Sequence, residues 1–357
     1  MVQLSALGAN PPEHIELLED AATGLKGVIA VHSTALGPAA GGCRLWRYAD
    51  DTALVGDALR LAEAMSYKNA LAGLPLGGGK AVLQLPARKF DRGRLFEAFG
   101  RAVAGLGGGY VTAEDVGTTV ADMTAVRSLT HHVAGLSSES GRPGGDPSPW
   151  TARGVFLAME VAAERRFGRP LSSLTVAVQG LGNVGFALCG LLHEAGARLI
   201  VADPREGLAA KAAVRFDAYI MKKSAILAAK ADIFAPCALG GVLDRETIPR
   251  LNAKLVCGGA NNQLATPEDG DRLAEAGILY APDYVVNAGG ITNVAAEYLG
   301  WPTEEVVTRV DQIGERLGDL FDLAEAEGIA TNRAADDLAR ALIASGARSA
   351  PIAVAAE

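Results

Sequence analysis

Residues 174–204 read LTVAVQGLGNVGFALCGLLHEAGARLIVADP, an apolar run, a glycine-punctuated turn, a helical stretch and a second apolar run that ends in Asp203. Few folds accommodate that order, because two apolar strands joined by a helix must run parallel and need both faces covered. Gly180-x-Gly182-x-x-Gly185 alone occurs often by chance, but its strand–turn–helix context is that of a dinucleotide-binding unit. Gly180 makes the tight turn, Gly182 lets a pyrophosphate approach the backbone, and Gly185 allows close helix packing. Asn183 and Val184 lie inside the same turn, where the helix N-terminus faces the phosphates. Asp203 stands 23 residues beyond Gly180, in the range of a ribose hydroxyl acceptor. Its charge opposes a 2′-phosphate, so NAD is expected rather than NADP. Arg205 is the residue able to soften that preference, against its reading as a solvated loop cation.

The remainder follows the same alternation. Short apolar runs, ADIFAPCA, LVCGGAN and GILYAPDYVVNAGG, alternate with helical stretches, which predicts a doubly wound parallel sheet. The N-terminal half also predicts an α/β layer. A strand (GVIAVHS) precedes a helix over 51–73 with Asp51 as its cap, then come strands at 81–85 and at GYVTAEDVG. Thr119 and Asp122 form a predicted capping box. Residues 136–149, LSSESGRPGGDPSP, have hinge composition. Ser148 and Pro149 suit the start of the next helix, a long helix is expected over about 303–327, and Thr331 or Asn332 is expected to cap the last one. With 357 residues, two domains are expected: 1–140 completed by about 331–357, and 148–330.

Bulk properties narrow the partners. A net charge of −8 argues against nucleic acid or an anionic membrane. Cys43, Cys189, Cys237 and Cys257 stand singly, so neither a zinc site nor a disulfide scaffold is expected. The first twenty residues do not read as a signal peptide, and no apolar run approaches a membrane span. These readings describe a cytoplasmic protein acting on small molecules, without metal.

The second constraint is YKNALAGLPLGGGKAVL, residues 67–83, where Lys68 and Lys80 flank an uncharged run. It is not a phosphate loop, since Leu74 stands where the first glycine belongs and Ala81 follows Lys80. An exposed strand-edge lysine and a cation near a helix C-terminus are the plain alternatives. The sharper reading rests on chemistry. An amine among apolar groups and near a second ammonium gives up its proton more readily, which would suit Lys80 as a base or polariser. Lys68 would stay charged and hold a carboxylate. Asp115, ending an apolar run before Gly117, is a candidate acid/base or else a turn aspartate, and Glu114 is expected to face the other way.

Taken in order, LGPAAGGCRLW, MSYKNALAGLPLGGGK, TAEDVGTTVADM, VQGLGNVG, IFAPCALGG, GGANNQL and APDYVVNAGGITNV resemble the blocks of the glutamate/leucine/phenylalanine/valine dehydrogenase superfamily over roughly residues 30–295. GLPLGGGKAVL is similar to its active-site signature. The resemblance implies an N-terminal α/β substrate domain and a Rossmann-type NAD-binding domain separated by a cleft, and reversible oxidative deamination of an L-amino acid to a 2-oxo acid and ammonia. By motif, Lys68 resembles the substrate-carboxylate binder, Lys80 the catalytic lysine that activates water, and Asp115 the acid/base for the amine. Gly41, Gly77 and Gly78 would line the substrate. Thr151, Ala238 and Asn262 sit in the blocks that hold the nicotinamide, with Asn262 also near the substrate. Cys237 adjoins that cofactor block and reads as packing. Relatives of this kind form homo-oligomers.

Glutamate-specific relatives carry a lysine where this chain has Ala40, so a buried side-chain carboxylate would lack its cation. Ala40, Met65, Ala113, Ile291 and Val294 imply an apolar side-chain pocket. TAEDVGTT and VVNAGGITNV resemble the leucine/valine branch, whereas the small Ala40 resembles the phenylalanine branch. Leucine, valine and isoleucine are favoured, with phenylalanine or another aromatic as the alternative. Cys43, often threonine in relatives, and the bulky Trp150 before Thr151 are departures. A catalytically silent NAD sensor would be expected to lose Lys68, Lys80 or Asp115, and all three are present. A 2-hydroxy acid dehydrogenase needs a histidine/acid pair and an arginine clamp, which His14, His32, His131, His132 and His193 do not supply.

Overall fold

The computed structural model describes residues 11–137 and 142–346. The signal-peptide reading therefore falls partly, and the last stretch of the expected C-terminal completion wholly, outside the described residues, as do positions 138–141 of the hinge. The chain divides into two compact units. The first takes the described residues up to 145, with 294–303 and those from 339 onward; the second takes 146–293 and 304–338. The chain thus crosses between units at four points, including one inside the last helix, whereas the sequence led us to place a single return near 331.

In the first unit the elements run β1 (His14–Asp20), β2 (Leu25–Ser33), β3 (Ala39–Ala40), β4 (Cys43–Trp46), α1 (Asp51–Leu71), β5 (Gly77–Gln84), α2 (Arg92–Gly105), β6 (Tyr110–Val111) and α3 (Val120–Arg127). The sheet order is β1-β2-β5-β3-β6, with β4 also paired to β5. Strand alternation assigns the two faces. Val28, Ala30 and Val82 pack with Leu54, Ala58 and Ala62 of α1. Ile29, Val31, Ala81 and Leu83 face the other way, into a core with Phe96, Phe99, Tyr110 and Met123.

Several local readings change. Asp50, not Asp51, caps α1, its side chain accepting from the Ala53 N–H at 2.8 Å. Asp51 instead pairs with Lys26 at 2.6 Å. β5 begins at Gly77 rather than Ala81, because Gly77 and Gly78 pair with Ala39 and Ala40. The strand expected from GYVTAEDVG shrinks to Tyr110–Val111, since β3, its partner, is only two residues long. The Asp122 carboxylate accepts from the Thr119 N–H and hydroxyl and from Arg92.

The second unit continues with α4 (Ser148–Phe167), β7 (Thr175–Gln179), α5 (Asn183–Glu194), β8 (Arg198–Ala202), α6 (Glu206–Phe216), β9 (Tyr219–Ile220), β10 (Ile233–Pro236), β11 (Leu255–Val256), α7 (Glu268–Glu275), β12 (Leu279–Tyr280) and α8 (Asp283–Val286). Then follow α9 (Gly289–Leu299), α10 (Thr303–Asp311), α11 (Ile313–Glu327) and α12 (Thr331–Ser345), of which α9 and α12 are divided between the units. All six strands are parallel, in the order β12-β11-β10-β7-β8-β9. Strand order reverses between β7 and β10, the switch point at which doubly wound sheets bind ligands. The helix expected over 303–327 is two helices meeting near Gln312. Thr331 and Asn332 direct their side chains elsewhere, donating to the carbonyls of Tyr280 (2.6 Å) and Pro267 (3.0 Å).

Candidate active site

The glycine run before Lys80 is glycine because protein crowds it. A Cβ on Gly77 would lie 1.9 Å from the Ser33 carbonyl, one on Gly78 2.1 Å from the Ser66 N, and one on Gly79 2.8 Å from the Tyr110 ring. The absent side chains let β2, α1 and Tyr110 close directly onto β5. Across the strand β3 pairs with 77–78 and β4 with 81–84, so Gly41 and Gly42 pass the gap beside Gly79 and Lys80. A Cβ on Gly41 would meet the Gly79 oxygen at 1.9 Å and Met65 at 3.1 Å. The Asn69 amide ties the last turn of α1 to the strand, donating to Gly77 O at 2.6 Å.

Lys80 shares the α1 face of the sheet with Gly78 and Val82 by alternation. Only 5% of it is exposed. Its Nζ lies 2.9 Å from Asp115 Oδ2. Arg44 of β4 donates from Nε to the same oxygen at 3.0 Å. Burial by itself would push the Asp115 carboxyl upward; Lys80, then Arg44, outweigh it and hold the group below the ordinary carboxylate range. The Asp115 backbone is fixed too, since its N–H donates to Thr118 Oγ1, which donates onward to Cys43 O. Glu114 is exposed, and burial of part of its carboxyl together with Asp122 and Glu297 raises it.

The other expected residues lie on elements of this unit or in the other unit. Ala40 is buried in β3, and Ala113, also buried, accepts from the Cys43 N–H at 2.8 Å. Lys68 lies in the last turn of α1, three residues beyond Met65. Val294 belongs to this unit through α9, whereas Ile291 and Asn262 belong to the other. The residue that sequence reasoning missed is Arg44, although the quoted block GGCRLW contains it. An arginine four residues past a candidate pocket position was the available signal. Asp57 and Tyr48, which hold Arg44, had none.

In the second unit, Gly180 adopts φ +96, and a Cβ there would strike Ala238 at 2.8 Å. A Cβ on Gly185 would lie 2.0 Å from Gly180 O. Gly182 differs, because it precedes the first turn of α5 and a Cβ there would meet only Arg205 Nη2, at 4.0 Å. An open, side-chain-free position against unpaired helix N–H groups fits a pyrophosphate. Val184 packs on Gly259, Cys237 Sγ accepts from the Gly259 N–H at 3.5 Å, and Asn183 lies 3.4 Å from Asp146. Thr151 packs on Gly290 while donating to Pro147 O. Asn262 holds φ +53, its N–H donating to Asp283.

Asp203 is 3% exposed at its side chain. It accepts from the Leu181 N–H at 2.7 Å and from Arg205 through both N–H (2.8 Å) and Nε (3.0 Å). Burial opposes its charge, but these donors draw the carboxyl down to about 2. Arg205 is thus the solvated loop cation expected, 63% exposed, and also the ion-pair partner of Asp203. Among the described residues there is no cluster of groups able to hold a metal ion, and no helix is long and apolar enough to cross a membrane.

Comparison with known proteins follows this division. Residues 14–132 match the family described as Glu/Leu/Phe/Val dehydrogenase, dimerisation domain, and residues 146–218 and 202–322 match Glutamate/Leucine/Phenylalanine/Valine dehydrogenase. The leucine dehydrogenase of Geobacillus stearothermophilus is 48% identical over 92% of this chain and 89% of its own. The valine dehydrogenase of Streptomyces albus is 46% identical over 92% and 91%. The crystal structure of L-tryptophan dehydrogenase from Nostoc punctiforme superimposes with a TM-score of 0.83 at 39% identity, covering 94% of this chain and 96% of that one.

Proposed function

The chain belongs to the Glu/Leu/Phe/Val dehydrogenase family and is an amino acid dehydrogenase, and from that premise we propose that it deaminates branched-chain L-amino acids, leucine first, with NAD as oxidant. The observation that carries the reading is the ion pair of buried Lys80 with the partly buried Asp115, together with an uncharged, buried Ala40. An ammonium and a carboxylate 2.9 Å apart in a water-poor setting can hand a proton between amine, water and each other without help from solvent. Lys68 holds the substrate carboxylate. Lys80 activates the water that attacks the imino carbon and steadies the oxygen charge that develops. Asp115 takes and returns the amine proton.

Ala40, Met65 and Ala113 offer the substrate side chain no charge, so a glutamate carboxylate would be stranded. Leucine over phenylalanine rests on the identity to leucine dehydrogenases, since methylene-scale fit discriminates by only about 1–3 kcal/mol. NAD, when bound, supplies the two-electron acceptor. Gly182 leaves room for its pyrophosphate, and the fully ionised Asp203 disfavours the 2′-phosphate of NADP. Thr151, Ala238 and Asn262 would hold the nicotinamide. A homo-oligomer built through residues 14–132 and a reducing, cytoplasmic setting for four free cysteines complete the reading.

The test is NADH formation at alkaline pH with L-leucine, L-valine, L-isoleucine, L-phenylalanine, L-tryptophan and L-glutamate, repeated with NADP. Leucine should give the highest kcat/KM and glutamate none measurable. Phenylalanine ahead of leucine, or NADP ahead of NAD, would overturn the corresponding half of the proposal.

A further inference from the structure

We propose that Arg44 is the positioning residue of the reaction, a permanent cation that keeps Asp115 oriented while Lys80 exchanges its proton. This rests on the reading of Lys80 and Asp115 as the catalytic pair. The geometry is specific. Arg44 donates from Nε to Asp115 Oδ2 at 3.0 Å and from Nη1 to Asp57 Oδ2 at 3.0 Å. Asp57 is held in turn by the Tyr48 hydroxyl at 2.6 Å and by Arg60 at 2.7 Å. Four elements supply the chain of contacts: β5 gives Lys80, β4 gives Arg44, α1 gives Asp57, and the loop after β6 gives Asp115. Arg44, Asp57 and Asp115 expose 21%, 16% and 23% of their side chains, so the charges are only partly screened.

Both cations meet Asp115 on the same oxygen, Oδ2. If Lys80 were the sole counter-ion, every step that took its proton would leave a partly buried carboxylate without a paired charge. A guanidinium does not deprotonate, and its fork can serve two acceptors in fixed directions. Arg44 thus holds the Asp115 charge constant through the cycle, and Asp57 with Tyr48 holds Arg44. Other titratable groups around Asp115 are Lys80 and two buried, neutral ones, the Cys43 thiol and the Tyr110 phenol, both pushed upward chiefly by burial.

The experiment compares wild-type enzyme with Arg44→Ala, Arg44→Lys and Asp57→Asn in leucine-dependent NADH formation from pH 6 to 11, with melting recorded for each. Arg44→Ala should lower kcat about a hundredfold with KM for leucine changed less than about threefold, and should move the acidic limb of the kcat profile up by about 1 pH unit. Arg44→Lys should restore the position of that limb but only part of kcat, because one ammonium cannot bridge both carboxylates. Asp57→Asn, which keeps its shape but loosens the hold on Arg44, should lower kcat by less than Arg44→Ala does, and decides the matter if Arg44→Ala does not fold. A folded Arg44→Ala or Asp57→Asn enzyme with the wild-type pH profile and kcat overturns the proposal. A wild-type enzyme that oxidises no amino acid refutes the functional reading instead, so the two failures are distinct.

Discussion

Asp203 and Asp115 are each paired with an arginine, and they are built in opposite ways. Asp203 meets Arg205 two residues away and the Leu181 N–H at the end of the neighbouring strand, so a short piece of local chain satisfies it. Asp115 meets Arg44 and Lys80 across 71 and 35 positions, and three parts of a sheet must assemble before it has a partner. The local pair closes a turn and leaves Gly182 open to a ligand. The long-range pair collects two cations on one carboxylate oxygen. A locally satisfied charge serves as scaffold; one satisfied only by tertiary structure with a titratable partner can serve as chemistry.

The sharpest way to break this contrast is to remove one cation from each. Lys80→Ala should lower kcat at least about a thousandfold, while dinucleotide binding, measured by fluorescence quenching or calorimetry, stays within about twofold of wild type. Asp115 keeps Arg44 in that variant, so the unit should remain folded. Arg205→Ala should do the reverse, weakening the dinucleotide and sparing kcat at saturation. Wild-type turnover by Lys80→Ala would end the role assigned to that residue.

The next effect separates two glycines of a single turn. Gly182→Ala adds a methyl group to open space and should leave melting within a degree or two while weakening NAD at least about tenfold, which is 1.4 kcal/mol. Gly185→Ala drives a carbon to 2.0 Å from Gly180 O and should lower the melting temperature before any ligand is added. Equal melting losses in both variants would show that the turn is pure packing and that Gly182 is no cradle.

That contrast also explains what was legible in the sequence. The glycine turn, the strands on either side and Asp203 were readable because they follow one another within one stretch, residues 174–204, in the order the chain presents them. Lys80 and Asp115 stood out as charges in apolar runs, but nothing in one dimension says that they touch. Arg44 was overlooked because its meaning lies wholly in contacts 13 and 71 residues away. Gly77 and Gly78 were read as lining a substrate; what the structure adds is that a Cβ there would strike Ser33 and Ser66. Strand lengths misled for a related reason. Of the short apolar run LVCGGAN only Leu255 and Val256 pair, because β12 offers two partners. Apolar character records burial, and the ladder ends where the neighbour does.

The smallest expected effect is an acid dependence of stability carried by Asp203. Its carboxyl sits at about 2 in the folded chain against 3.8 ordinarily, so the unfolded chain binds the proton more tightly. The ionised group therefore stabilises the fold in full above about pH 4, and that contribution is lost as pH falls toward 2. The difference corresponds to roughly 2 kcal/mol at most, and less where solvent reaches Arg205. Asp203→Asn should accordingly unfold at lower urea concentration than wild type at pH 6, with the gap narrowing at pH 3. A gap that stays constant from pH 6 to pH 3 would mean that the asparagine costs packing rather than charge, and that Arg205 is no real partner. Asp115→Asn serves as the counterpart. It should cost both activity and stability, because Lys80, 5% exposed, loses the carboxylate it pairs with.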